Sequence, residues 1–327
     1  IAQAPPARRD GGRLLFVSRD RPEELTHQRI VDLPSLIPAD SLLVINDSRV
    51  LPARLQAQRA TGGRVEVLLL ERLAEGRWRC MLRSSKGPKV GERLALLGGG
   101  ETSTVGETPT VEIATIPRAG RCEVFLDDGV IHRLGAMPLP PYIKRPADAA
   151  DAERYQTVYA RDEGSVAAPT AGLHLTEDLL SALEARGCEI ARVTLHVGPG
   201  TFVPVRCDDP GEHRMEEERY EVSEATADAI VRARAEGRRV IAVGTTVVRT
   251  LESSVGRAGL GRTELFIRPG YRFQVVEGLL TNFHLPRSTL LMLVSAFVGR
   301  EAVLSAYRAA VEAEYRFYSY GDAMLIL

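Results

Sequence analysis

The spacing of apolar residues along this chain follows two different periods, and the change between them divides it into parts. Leu42 to Ile45 is a short apolar run that predicts a buried strand, and it ends in the polar turn Asn46-Asp47-Ser48-Arg49. From about Leu55 to Leu134 the runs are short and alternating or β-branched, as in RVEVLLLE, RWRCMLR, TVEIATI and CEVFL. Turn signals GG, EG, KGPKVG and DDG separate them. No long amphipathic helix fits there, so the stretch predicts a small barrel or sandwich. Gly98-Gly99-Gly100 reads as a mobile loop.

After Arg145 helices and strands alternate. Thr176 to Gly187 has an N-cap threonine, acidic residues in its first turn and a closing glycine, and the strand CEIARVTLHV follows. Ser223 to Gly237 repeats this plan with a serine cap and a glycine stop before RRVIAVGT. A further helix begins near Thr246, and two more cover roughly Ser288 to Phe297 and Glu301 to Tyr315. Such alternation predicts a mixed α/β fold with a largely parallel sheet. The expected plan is a discontinuous α/β domain, residues 1–56 and 138–327, with a small β-barrel-like domain, residues 57–137, inserted into it.

Composition narrows the function classes. A chain of 327 residues with 44% hydrophobic and 26% charged residues is ordinary globular material, and its length favours two domains. The longest apolar run, Leu290 to Val298, is too short to cross a bilayer, and no membrane association is expected. The opening residues IAQAPPARRD lack the regions of a signal peptide, so no export is expected. Cys80, Cys122, Cys188 and Cys207 lie far apart in sequence without a CxxC pair, which predicts reduced thiols in a cytoplasmic protein and no metal site. A net charge of −1 excludes a uniformly basic nucleic-acid binder, so any RNA contact must come from a local patch. All but three of the 42 basic residues are arginine, a bias that suits phosphate forks but is more simply explained by a coding bias spread over the whole sequence.

Ligands of open α/β sheets gather beyond the carboxyl ends of strands, and three loops leave predicted strands there. His196-Val197-Gly198-Pro199-Gly200-Thr201-Phe202 offers glycines that let a ligand approach the backbone, together with the Thr201 hydroxyl, although a tight Gly-Pro-Gly turn explains the same residues. Gly244-Thr245-Thr246 is a strand-to-helix junction able to hold an anion, with Arg249 one turn on, or else an ordinary helix start with an ion pair. Asn46, Asp47 and Arg49 form the third loop, or a simple Asx turn. Pro169-Thr170-Ala171-Gly172-Leu173-His174 precedes the Thr176 helix, adding Thr170 and Gly172 as candidates. His174, His196 and His284 are the candidate acid/base groups, though any one alone is more simply a hydrogen-bonded structural histidine. Asn282 and His284 can read a base edge while Phe283 stacks, or the loop simply packs with Phe283 buried, and Tyr271 and Tyr142 are further stacking candidates or merely cover a domain joint. There is no GxSxG elbow, so a serine hydrolase is disfavoured.

The strings LPPYIKRP, YQTVYARDEGSVAAPTAGLHL, VTLHVGPGTFVPVR, VIAVGTTVVRTLES and GLLTNFHLPRSTLLMLVSAF resemble the S-adenosylmethionine:tRNA ribosyltransferase-isomerase family of the queuosine pathway. The resemblance runs from IAQAPPARRD through LLVINDSRVLPARL to YRFYSYGDAMLI, almost the whole chain, and implies the same two-domain plan and a short N-terminal piece ahead of residue 1. One departure is plain: in His213-Arg214-Met215-Glu216-Glu217-Glu218, Glu216 stands where the family pattern has a second histidine, while Glu218 matches an acidic position.

The reaction this implies transfers and rearranges the ribosyl part of S-adenosylmethionine onto 7-aminomethyl-7-deazaguanine at the tRNA wobble position. The products are epoxyqueuosine-tRNA, adenine and methionine. S-adenosylmethionine is then a co-substrate and no prosthetic group is expected. Carried onto this sequence, His174 or His196 is the base that removes a proton beside the sulfonium, and His284 or Asp47 assists adenine departure. Thr245, Thr246 and Arg249 hold the methionine carboxylate, and Gly198 to Phe202 the adenosyl part. Lys86, Lys89, Lys144 and Arg145 are expected to touch the tRNA backbone of a monomeric protein. The alternative is a non-catalytic tRNA-binding relative, which the Glu216 departure keeps open.

Overall fold

The structure, a computed structural model, describes residues 1–98, 108–115, 120–202, 205, 207 and 209–327. The side chain of Phe202, and Gly99 and Gly100 of the expected loop, lie outside the described residues.

A nine-stranded sheet forms the body of the protein. From edge to edge its strands are Gly259–Thr263, Glu218–Val222, Glu189–Leu195, Leu42–Asn46, Val240–Val243, Gly278–Asn282, Ala323–Ile326, Arg13–Val17 and Leu25–Arg29. The four strands from Glu189–Leu195 to Gly278–Asn282 are mutually parallel. The expectation of a largely parallel sheet therefore needs correction. Glu189–Leu195 and Glu218–Val222 are joined by a loop rather than a crossover helix and run antiparallel, as does the edge pair Arg13–Val17 and Leu25–Arg29.

Central strands of this kind must be apolar on both faces. Leu42 and Val44 enter the core beneath the helices Glu224–Ala235, Thr245–Ser254, Thr289–Val298 and Arg300–Glu312, whereas Leu43 and Ile45 enter the opposite core against helix Glu177–Glu184. Caps start these helices as the residue types require: the side chains of Thr176, Ser223 and Ser288 accept from the amides of Leu179, Thr226 and Leu291. Among the described residues no single helix is long and apolar enough to cross a membrane.

Six antiparallel strands close a barrel in the order Arg121–Phe125, Arg77–Ser84, Arg64–Ala74, Arg54–Gln58, Arg93–Leu97 and Thr110–Ile113. Alternate residues such as Val65, Val67, Leu69, Leu94 and Val124 fill it, and Val130 and Ile131 of helix Gly129–Leu134 pack against that filling. A division at residue 57 cuts the strand Arg54–Gln58, which belongs wholly to the barrel. The cysteines are free, but Cys80 and Cys122, distant in sequence, are cross-strand partners with sulfurs 3.5 Å apart.

Candidate active site

The carboxyl ends of the four parallel strands open into a cavity lined by Thr170, Thr201, Thr245, Thr246, Thr281, Asn282 and His284, with Tyr142, Leu290 and Tyr318 among the other walls. Gly244, at φ 96°, turns the strand Val240–Val243 directly into helix Thr245–Ser254, a conformation glycine adopts without penalty. The first amides of that helix have no intrahelical acceptor, so this wall presents N–H donors and two threonine hydroxyls. Asn282 contributes the opposite polarity. Its Nδ2 donates to Tyr318 O at 3.3 Å and faces His174 Nε2 at 3.1 Å, while its buried Oδ1 has no partner among the described residues.

A second cavity adjoins the first at Val197, which lines both. It lies between sheet and barrel: Glu71, Arg79 and Arg121 come from barrel strands, and His196, Gly198, Glu216, Glu217, Arg219 and Arg262 from the α/β part. Ion pairs cross it, Arg121 to Glu216 and Arg262 to Glu71 at 3.2 Å. Gly164 makes room for the His196 ring, since a Cβ there would stand 2.6 Å from Nδ1. That Nδ1 is buried and has no hydrogen-bond partner among the described residues.

The three candidate histidines occupy different environments. His284 is buried beside Thr281 Oγ1 at 3.0 Å, and burial pushes its pKa down to about 3. Burial also lowers His174, to about 4. Because Asn282 Nδ2 is fixed as a donor by backbone carbonyls, His174 Nε2 must accept, and the ring is neutral. His174 does not line the cavity; it stands behind Asn282 and positions it. His196 is lowered by burial and then by Arg219, and it does line a cavity.

Several expected residues sit elsewhere. Asp47 does not share a cavity with His284; it opens, with its pKa raised by burial, onto a separate cavity where Thr194 Oγ1 donates to it at 2.7 Å and Arg161 lies 3.1 Å away. Phe283 is fully buried among Tyr307, Tyr315 and Phe317, because neighbouring residues point oppositely and Asn282 and His284 take the cavity side. It offers no stacking face. Tyr271 bonds Glu252 and packs on Phe273, and the exposed Arg49 pairs loosely with Glu163.

Arg249 does not reach the Thr245 wall. Its guanidinium is buried against Glu218 and also donates to Leu265 O at 3.1 Å. Asn46 ties strand ends together, donating to Leu195 O at 3.0 Å and accepting from Leu195 N at 3.1 Å. Gly172 is required by packing rather than by a ligand, since a Cβ would stand 2.1 Å from the Tyr159 hydroxyl, and Gly200 faces the Glu216 carboxylate in the same way. Arg145 grips Asp151 through two bonds of 2.6 and 2.8 Å and is no free phosphate contact, whereas Lys86, Lys89 and Lys144 are exposed. Thr281 and Tyr318, and the barrel's Glu71, Arg79 and Arg121, were not anticipated. No local motif marks them; only the fold brings them to the cavities. Among the described residues no group of His, Cys, Asp and Glu could hold a metal ion.

The cavity at the carboxyl ends of parallel strands, joined to a charged cleft against a barrel, defines an α/β protein with two adjoining candidate ligand sites. A family model described as queuosine biosynthesis protein matches residues 1–326. Proteins named S-adenosylmethionine:tRNA ribosyltransferase-isomerase are similar over the full chain: one from Anaeromyxobacter dehalogenans is 52% identical, covering 100% of this chain and 95% of the relative, and one from Thermus thermophilus is 51% identical, covering 100% and 96%. The crystal structure of S-adenosylmethionine tRNA ribosyltransferase from Thermotoga maritima matches with a TM-score of 0.55 at 35% identity, covering 100% and 96%. The chain belongs to the S-adenosylmethionine:tRNA ribosyltransferase-isomerase family of queuosine biosynthesis.

Proposed function

We propose that this protein transfers and rearranges the ribosyl moiety of S-adenosylmethionine onto 7-aminomethyl-7-deazaguanine at the wobble position of tRNA, giving epoxyqueuosine-tRNA, adenine and methionine. The observation that carries the reading, beyond family membership, is the pair of cavities meeting at Val197. One is lined by hydroxyls, an amide side chain and helix N-terminal amides, which can bind a carboxylate and the polar edges of a nucleoside. The other is charged: Glu71, Glu216 and Glu217 line it and are met by Arg121 and Arg262, a polar, ion-paired wall suited to the base-bearing end of an RNA.

In this reading the amides at Thr245 and Thr246 bind the methionine carboxylate. Thr170, Thr201, Asn282 and His284 surround the adenosyl part, with Asn282 Oδ1 accepting from an amino group. His284, neutral at physiological pH, acts by hydrogen bonding and not as an imidazolium acid. His196, neutral and facing the junction of the cavities, removes the C5′ proton that the sulfonium acidifies, or the proton of the attacking ammonium. The enzyme works in the cytoplasm as a monomer without a prosthetic group, with the α/β part as the catalytic unit and the barrel, beginning at strand Arg54–Gln58, as its insert.

Incubating the protein with S-adenosylmethionine and tRNA carrying the aminomethyl base tests this directly. Adenine and the epoxyqueuosine nucleoside mass should appear together. Binding of both substrates with no adenine release would falsify the reading.

A further inference from the structure

A groove runs along the first turns of helix Thr289–Val298, with Leu291, Met292 and Leu304 as its apolar floor and Arg268, Arg287 and Arg300 around it. All three arginines are exposed, and among the described residues none of their guanidiniums makes an ion pair or hydrogen bond. This is unlike Arg145, Arg249 and Arg262, each of which meets a carboxylate. Asp209 Oδ1 and Arg268 Nη1 both approach Gly211, but they form no ion pair within 4.0 Å. In a chain of net charge −1, three unneutralised guanidiniums in one groove are a local positive patch.

Two segments connect this groove to the hydroxyl-rich cavity. On helix Thr289–Val298, Leu290 lines the cavity while its neighbours Leu291 and Met292 line the groove. The loop that places Thr201 in the cavity wall reaches Pro210 on the groove, and it is held there by Val205 N donating to Arg287 O at 2.8 Å. A ligand lying in the groove therefore adjoins the cavity.

We propose that this groove is the track for the tRNA backbone beside the modified base, with phosphates on Arg268, Arg287 and Arg300 and ribose or base faces on Leu291, Met292 and Leu304. The occupant is RNA because the groove pairs a polyanion's counter-charges with an apolar floor and is continuous with the cavity wall. The inference rests on the functional reading above, and it places the contact apart from the lysines suggested by sequence.

The test replaces the three arginines together, Arg268→Gln, Arg287→Gln and Arg300→Gln, and also singly. Folding is checked by thermal unfolding and by S-adenosylmethionine binding. Loss of three phosphate contacts on a single strand should weaken tRNA binding by about tenfold or more and flatten the log–log salt dependence by about 2. A tRNA transcript lacking the modified base should show the same dependence, because phosphate contacts do not read sequence.

Unchanged tRNA affinity and salt slope would overturn the proposal. So would a wild-type dimer that the triple variant converts to monomer with tRNA binding intact, since a second copy would then occupy the groove. If the triple variant does not fold, the singles decide, each expected to flatten the slope by somewhat less than 1. Absence of adenine release by the unaltered protein tells against the functional reading alone, and the binding measurements still decide the groove.

Discussion

Arg249 and Glu218 form an ion pair inside the protein, 2% and 4% exposed, and the same Glu218 carboxylate accepts from Gly198 N at 3.0 Å and from Thr201 Oγ1 at 2.9 Å. A single helix residue thereby holds, through one carboxylate, the loop that separates the two cavities. Removing one member leaves an uncompensated buried charge. Arg249→Ala should cost about 3–5 kcal/mol of stability, measured by urea unfolding, while Arg249→Met combined with Glu218→Leu should cost less. Equal losses in the two variants would show that the pair is not buried as a unit.

His196 has its pKa lowered by burial, so the neutral, proton-accepting form predominates through the physiological range. With the sign worked out, kcat/KM should be level above neutrality and fall only as the medium becomes more acidic than the usual histidine value. His196→Ala should remove that acidic limb and lower kcat about 10²–10⁴-fold while S-adenosylmethionine binding changes little. An acidic limb that survives the substitution assigns the base elsewhere.

Gly164 has φ 149°, and its missing Cβ leaves the space into which the His196 ring packs. Gly164→Ala should therefore displace the imidazole and lower kcat, although residue 164 itself lines only the charged cavity. S-adenosylmethionine affinity, read by calorimetry, should be nearly unaffected. Wild-type turnover in this variant would remove His196 from the reaction.

His174 and His284 are buried neutral, with folded pKa values of about 4 and about 3 against an ordinary 6.5. Between these limits the unfolded chain binds more protons than the folded one. Their contribution is thus fully present above pH 6.5 and is lost as pH falls toward the folded values. Each histidine should add a slope of up to about 1.4 kcal/mol per pH unit. Denaturation between pH 6.5 and 5 should show this loss, and His284→Gln should make it shallower.

Local signals in the sequence were sufficient for the helix starts and the inserted barrel. Thr176, Ser223 and Ser288 cap as their types require, and the alternation from Arg64 to Ala74 places Val65, Val67 and Leu69 inside. The loops at Thr170, Thr201 and Thr245 do converge, because they follow strand ends that a parallel sheet aligns. What could not be read locally depends on partners far along the chain. Arg249 looked available until Glu218, 31 residues away, occupied it. Phe283 looked like a stacking platform until the strand's alternation turned it into the core, and Arg145 looked like a phosphate contact until Asp151 took it.

The strand Arg13–Val17 lies beside Ala323–Ile326, with Leu14 opposite Ala323. During synthesis this seam cannot close until the strand Ala323–Ile326 has left the ribosome, so formation of the sheet is governed by a contact of very long loop-closure distance. The barrel strands between Arg54 and Phe125 find all their ladder partners among themselves and can be complete long before that. The insert is therefore expected to fold on a nascent chain before the nine-stranded sheet does, with assembly of the cavities waiting for the strand Ala323–Ile326.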